Sequence, residues 1–142
     1  MSIDTDSIRQ AAAIPIRNGT ICLVTSRSGK RWVVPKGGME PGKTAGEIAL
    51  QEAWEEAGLT GVLQREPVGS FLYEKFGSQH LVTVFLMRVT EETDTWPEDD
   101  FRERVWVSPA EAIDRIDDEG LREIIRSTVT GNGSKSGRVK IS

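Results

Sequence analysis

Glu52, Glu55 and Glu56 stand within one short segment, behind a stretch that contains Gly37, Gly38 and Gly42. On a helix turning about 100° per residue, the three carboxylates fall within an arc of roughly 100°, with Glu52 one turn from both of the others. Like charges at that spacing repel unless something positive lies between them. Two readings are open: a solvated acidic face, or the hard oxygen donors that Mg²⁺ or Mn²⁺ takes beside a substrate phosphate. The glycines favour the second, because bare backbone can approach an ion or a phosphate without side-chain obstruction.

The elements that position these carboxylates are legible around them. Trp32 to Val34 is a short apolar strand that stops at Pro35, and the Gly-rich turn follows. Thr44 with Glu47 three residues on is a capping-box pattern, and Gly58 is a natural C′ residue, so the spacing predicts a helix from Thr44 to Gly58. Leu50, Ala53, Trp54 and Ala57 are expected on its packing side, opposite the glutamates. Upstream, Ala11 to Ile16 and Thr20 to Thr25 read as strands about a turn at Asn18-Gly19. Downstream, Val62 to Val68 and Ser70 to Phe76 read as strands with a bulge at Gly69 and a turn at Gly77-Ser78. His80 to Val89 alternates Leu81, Thr83, Phe85, Met87 against Val82, Val84, Leu86, which suits a strand covered on both faces. Arg104 to Val107 is a short strand, Ser108-Pro109 opens a helix, and Leu121 to Val129 forms another. Strands, helix, strands, helix make a mixed sheet with helices on either side, an α/β fold.

The chain has 142 residues, 37% hydrophobic and 28% charged, enough for one domain with its own core. Residues 9–129 are expected to form it, between a flexible N-terminus at 1–8 and a flexible, basic, Gly/Ser-rich tail at 130–142. No apolar run approaches the roughly 20 residues of a membrane span and no signal-peptide core is visible, so the expectation is a cytoplasmic protein with no membrane partner. The single Cys22 lies among Ile21, Leu23 and Val24 and suits the core. A net charge of −4 argues against general nucleic-acid binding. Yet Arg9, Arg17, Arg27, Lys30, Arg31, Lys36 and Lys43 face no acid between Asp6 and Glu40. Such a run is either a solvated strand edge or a receiver for a polyanion beside the acidic helix.

Gly37, Glu52, Glu55, Glu56, Gly58 and Leu59, with Gly38, Pro41 and Gly42 between, resemble the Nudix box, G-x5-E-x7-R-E-U-x-E-E-x-G-U with U aliphatic. The chain departs from it twice: Lys43 stands at the first Glu and Gln51 at the Arg. In the family those positions form an ion pair bracing the loop on the helix, and losing both strands no buried charge. Glu47 is placed to bond Gln51 or to pair with Lys43. The resemblance implies a Nudix-type α/β/α sandwich. It also implies a metal-dependent hydrolase of diphosphate bonds, with Mg²⁺, or Mn²⁺, as cofactor and a phosphorylated small molecule as partner.

Further runs resemble the diphosphoinositol polyphosphate phosphohydrolases: SRxxxRW at Ser26 to Trp32, VPKGGMEP at Val34 to Pro41, VTEETDTWPED at Val89 to Asp99 and ERVWV at Glu103 to Val107. The resemblance assigns the metal to Glu52, Glu56 and the Gly37 carbonyl, and the general base to Glu55, with the Glu55 and Glu56 roles open to exchange. It assigns phosphate to Arg9, Ser26, Arg27, Lys36, Gly38, Lys75 and His80. Trp32 and Trp96 could stack on a nucleobase or simply pack. The substrate class it implies is a diphosphoinositol or dinucleoside polyphosphate. The alternatives are ADP-ribose or a nucleoside triphosphate, or a binding module whose catalysis the changes at Lys43 and Gln51 have weakened.

Overall fold

The computed structural model describes residues 6–129 of the chain. Its elements run β1 (Ile8–Arg17), β2 (Thr20–Thr25), β3 (Trp32–Val33), β4 (Lys36–Gly38), α1 (Ala45–Ala57), β5 (Leu59–Leu63) and β6 (Gly69–Lys75). Then follow β7 (Ser78–Glu92), β8 (Arg104–Val107), α2 (Pro109–Arg115) and α3 (Glu119–Thr128).

Strands β1 and β7 lie parallel at the centre, and alternation sends their side chains to two separate cores. Ala12, Ile14 and Ile16 with Val82, Val84 and Leu86 meet Ala112, Leu121, Ile124 and Ile125 of α2 and α3. Ala11 and Ala13 with Phe85, Met87 and Val89 meet Ile48, Ala49, Ala53 and Ala57 of α1. The mixed sheet runs β3-β2-β1-β7-β5, with β4 on β1, β6 on β7 and β8 on β2. Helices therefore cover both faces, as the α/β/α expectation requires. No helix among the described residues is long and apolar enough to cross a membrane.

Several local expectations shift in the structure. Asn18 and Gly19 both have positive φ, 53° and 78°, the geometry of a two-residue hairpin turn. The second such turn falls at Phe76-Gly77, one residue earlier than expected. Strand β5 starts at Leu59 and ends at Leu63, before the polar Gln64, Arg65 and Glu66 and then Pro67. Its irregularity lies between Thr60 and Gly61, not at Gly69, which opens β6. Gly61 is needed there, because a Cβ would sit 2.1 Å from the Arg88 carbonyl oxygen. Lys36–Gly38, expected as loop, is a strand because β1 offers it an antiparallel partner from Ala12 to Gln10. The third helix begins at Glu119 under an Asp118 cap, earlier than Leu121. The tail expected at 130–142 lies outside the described residues, as does most of the expected N-terminal segment.

Candidate active site

Helix α1 is fastened at both ends. At its start the Thr44 hydroxyl accepts from the Glu47 amide at 3.1 Å and the Glu47 carboxylate accepts from the Thr44 amide at 2.9 Å. At its end Gly58 takes the left-handed conformation, φ 70°. The carbonyls there are taken up by the 93–104 segment. Glu98 N donates to Glu55 O at 3.1 Å and Thr93 N to Gly58 O at 3.0 Å. Trp96 Nε1 donates to Glu56 O at 2.9 Å and Arg104 Nη1 to Ala57 O at 2.7 Å. These satisfy groups a helix end leaves open, and the Arg104 cation suits its negative pole. Trp96, with Arg104 stacked 4.1 Å from its ring centroid, is thus a packing residue.

The packing face of this helix is rotated from the sequence expectation. Trp54 is 36% exposed, whereas Glu56 is only 6% exposed. Ile48, Ala49, Ala53 and Ala57 make the seam, and Glu56 follows them inward on the flank nearest β4. Its Oε1 accepts from Lys36 N and its Oε2 meets Arg102 Nη2, both at 3.3 Å. Its carboxyl is also hydrogen-bonded to that of Glu52. Burial pushes the Glu56 carboxyl up to about 8, against the pull of Arg102. Burial raises Glu52 as well. Lying side by side, the two carboxyls do not ionise independently.

That pair fits a divalent cation. Ionised, the two present adjoining carboxylate oxygens, and Gly37 closes the cradle without a side chain: a Cβ there would lie 2.4 Å from Glu52 Cδ. Among the described residues, no three His, Cys, Asp or Glu side chains converge into a ligand cluster; Glu52 and Glu56 are the carboxyls that could hold such an ion here. Glu55 is partly exposed on the flank and acts on Glu52 through space.

A pH dependence follows. Because the folded-state value of Glu56 is raised, the stability it contributes is full below the ordinary carboxylate range and is lost as pH rises through about 8. Glu40 and Glu92 are lowered instead, by Gln51 and by Trp106, Arg17 and Arg104 against burial, and act only below that window. In EDTA the melting temperature is expected to fall from about pH 5 to about pH 8, and added Mg²⁺ to restore it at pH 8. A flat profile would mean the pair is not protonated.

Arg102, 8% exposed, holds three groups at once. Besides Glu56 it pairs through Nε with Glu98 Oε1 at 2.8 Å and donates from Nη1 to Thr25 O at 2.8 Å. Arg102 was not among the residues singled out in the sequence; the i,i+4 spacing of Glu98 and Arg102 was the available signal.

A pocket of about 200 Å³ opens beside Glu56, lined by Ser26, Arg27, Arg31, Lys36, Lys75 and Arg102. Four residues expected to hold phosphate are therefore brought together: Ser26, Arg27, Lys36 and Lys75. Arg31, within the early basic run, joins them. Ser26 Oγ accepts from Arg31 N at 3.2 Å, and Phe101 carries Arg27 and Arg102 at 5.0 and 5.4 Å from its ring. Gly38 lies in β4 with open space over it. Arg9 and His80 do not line this pocket. Arg9 is exposed on β1, and His80 is stacked on Tyr73 at 4.6 Å between ring centroids.

The two departures from the box meet each other. Lys43 Nζ donates to Gln51 Oε1, and Gln51 Nε2 donates to Glu40 Oε2 at 3.0 Å. Lys43 also pairs with Glu40 at 3.5 Å. Glu40 supplies the acid of this exposed brace, while Glu47 is engaged in the helix cap.

The family model of the NUDIX domain matches residues 7–127. The chain belongs to this family. Nudix hydrolase 21, chloroplastic, of Arabidopsis thaliana is 34% identical over 111 residues, 77% of this chain and 56% of the relative. Diphosphoinositol polyphosphate phosphohydrolase 3-beta of Bos taurus is 39% identical over 101 residues, 68% of this chain and 60% of the relative. This Nudix domain thus spans little more than half the length of those curated relatives. Among solved structures, a NUDIX hydrolase from Nitrosomonas europaea has a TM-score of 0.74 at 18% identity, over 85% of this chain and 87% of that one. A C. elegans Ap4A hydrolase binary complex has 0.72 at 21%, over 84% and 93%. At such identities these likenesses speak for the Nudix fold.

Proposed function

We propose that this Nudix domain is a metal-dependent phosphoanhydride hydrolase acting on a highly phosphorylated small molecule. The observation that carries this is the pocket in which Arg27, Arg31, Lys36, Lys75 and Arg102 surround one acidic side chain, Glu56. Burial lowers the Lys36 ammonium, Glu56 opposes this, and Lys75, Arg31 and Arg102 add to the lowering. Cations packed so closely repel one another until a polyanion enters, and each charge-assisted bond to phosphate relieves that repulsion.

Glu52, Glu56 and the Gly37 carbonyl are the groups that would hold Mg²⁺ or Mn²⁺. When bound, such an ion neutralises charge on phosphate oxygens and acidifies water. The protein's own part is to fix the diphosphate on Arg27, Lys36 and Lys75, and to keep Arg102 against Glu56. Glu55, on the exposed side of the same arc, takes the proton from the attacking water. The likeness to a diphosphoinositol polyphosphate phosphohydrolase supports a substrate with many phosphates.

The test is phosphate release with Mg²⁺ against diphosphoinositol polyphosphates, dinucleoside polyphosphates, nucleoside triphosphates and ADP-ribose. Arg27→Ala is expected to raise KM more for the polyphosphates than for ADP-ribose, by about tenfold or more, since a bidentate phosphate contact contributes about 1.5–3 kcal/mol. Equal effects on both classes would count against the polyphosphate reading. No release from any of them would leave a binding module.

A further inference from the structure

We propose that two aromatic rings, Phe101 and Tyr73, are positioning residues for the cationic pocket. Phe101 holds the Arg27 guanidinium and Tyr73 the Lys36 ammonium where a run of phosphates meets both, so the rings govern affinity for polyphosphates without touching them. This rests on the phosphate reading of the pocket and adds to it the residues that set its charges in place.

The pocket poses a problem before any anion enters. Arg27, Arg31, Lys36, Lys75 and Arg102 line it, with Glu56 as the one acid among the lining residues. Cations so close repel one another, and long Lys and Arg side chains regain rotamer freedom by swinging out to water. Glu56 is taken up by Arg102 Nη2 and by the Lys36 amide, each at 3.3 Å. Among the described residues, no carboxylate lies within ion-pair distance of the Arg27 or Lys36 side chain.

Each of these two cations stands against a ring instead. Arg27 Cζ is 5.0 Å from the Phe101 centroid, and Lys36 Nζ is 5.2 Å from that of Tyr73. Within about 6 Å the negative face of a ring attracts a cation. A carboxylate in the same place would occupy the N–H groups that phosphate needs, whereas a ring leaves them open.

The rings are themselves fixed. Tyr73 donates from its hydroxyl to Gln10 Oε1 at 2.7 Å, and its ring lies 4.6 Å from that of His80 and 14° from parallel. His80 on this account braces Tyr73. Phe101 N donates to Glu98 O at 3.2 Å, and the buried Arg102 guanidinium lies 5.4 Å from the Phe101 ring. A cation held in advance on a fixed ring loses less freedom when phosphate arrives. Lys75 is the contrasting case: it stands 5.4 Å from Phe76, a ring 94% exposed at the hairpin turn, where water weakens the attraction.

Calorimetric titration of the full chain with inorganic tetraphosphate in EDTA, which holds off hydrolysis, reads the effect, with a thermal melt on every variant. Tyr73→Leu and Phe101→Leu are each expected to weaken binding about tenfold, and Tyr73→Phe and Phe101→Tyr, which keep a ring, to stay within about twofold of the unaltered chain. The decisive result is the coupling. In a Lys36→Met background Tyr73→Leu should cost less than about twofold, and in an Arg27→Ala background its full tenfold or so, because the ring acts through Lys36. A ring that merely supports the fold would cost the same in both. Undiminished binding by folded Tyr73→Leu and Phe101→Leu variants, no recovery in the ring-keeping variants, or an equal cost in the two backgrounds would overturn the role of the rings and leave the phosphate reading standing. Phe101 is 38% exposed, so its variants decide the matter should Tyr73→Leu fail to fold. No binding of tetraphosphate by the unaltered chain would overturn the phosphate reading and the role of the rings with it.

Discussion

Replacing Glu56 with Gln is expected to lower Mg²⁺-dependent turnover by at least about a hundredfold and to leave the domain folded, the outcome when a metal-holding or proton-accepting group is lost. The expectation is unusual for a buried acid, since breaking a buried ion pair normally destabilises. Here burial pushes the Glu56 carboxyl up to about 8, beside the carboxyl of Glu52. An amide is close in shape to a protonated carboxyl. Its oxygen can keep the bond from Lys36 N, and its nitrogen then stands in the place of Oε2. The melting temperature in EDTA should therefore change little near pH 7, while its decline from about pH 5 to about pH 8 flattens. Phosphate-release kinetics and a thermal melt on the same variant check both halves. Near-normal turnover of a well-folded variant would remove Glu56 from the chemistry.

Replacing Arg102 with Leu should have the opposite profile, a large loss of stability. Arg102 compensates Glu56 and Glu98 and satisfies the Thr25 carbonyl from a side chain that is itself buried. Removing one partner of a buried ion pair typically costs about 3–5 kcal/mol, because the other charges stay behind without it. Arg102→Lys should recover only part of this, since an ammonium cannot reach three acceptors in the fixed fork of a guanidinium. Urea unfolding would decide the matter. A loss below about 1 kcal/mol would show that water replaces Arg102 and that the side chain is free to serve the ligand alone.

The segments with local determinants were legible in the sequence. The bounds of α1 depend on Thr44, Glu47 and Gly58, whose partners lie within one helical turn. The start of α2 depends likewise on Ser108 and Pro109. The two-sided burial of β7 followed from the alternation of its side chains, and the spacing of Glu52, Glu55 and Glu56 announced the acidic helix. Partners distant in the chain were another matter. That Lys36–Gly38 forms a strand was decided by β1, which supplies hydrogen bonds that outweigh the poor strand preference of glycine. The inward turn of Glu56 was decided by Arg102, Lys36 and Glu52, which together make a buried carboxyl tolerable. Arg102 itself reaches a carbonyl 77 residues away, and no periodicity in one segment encodes such a contact. The same holds for the cationic pocket and the acidic rim beside it. Residues such as Arg31, Lys75 and Asp117 become neighbours only when β3, β6 and the approach to α3 are packed on one sheet, so their electrostatic contrast is a property of tertiary structure alone.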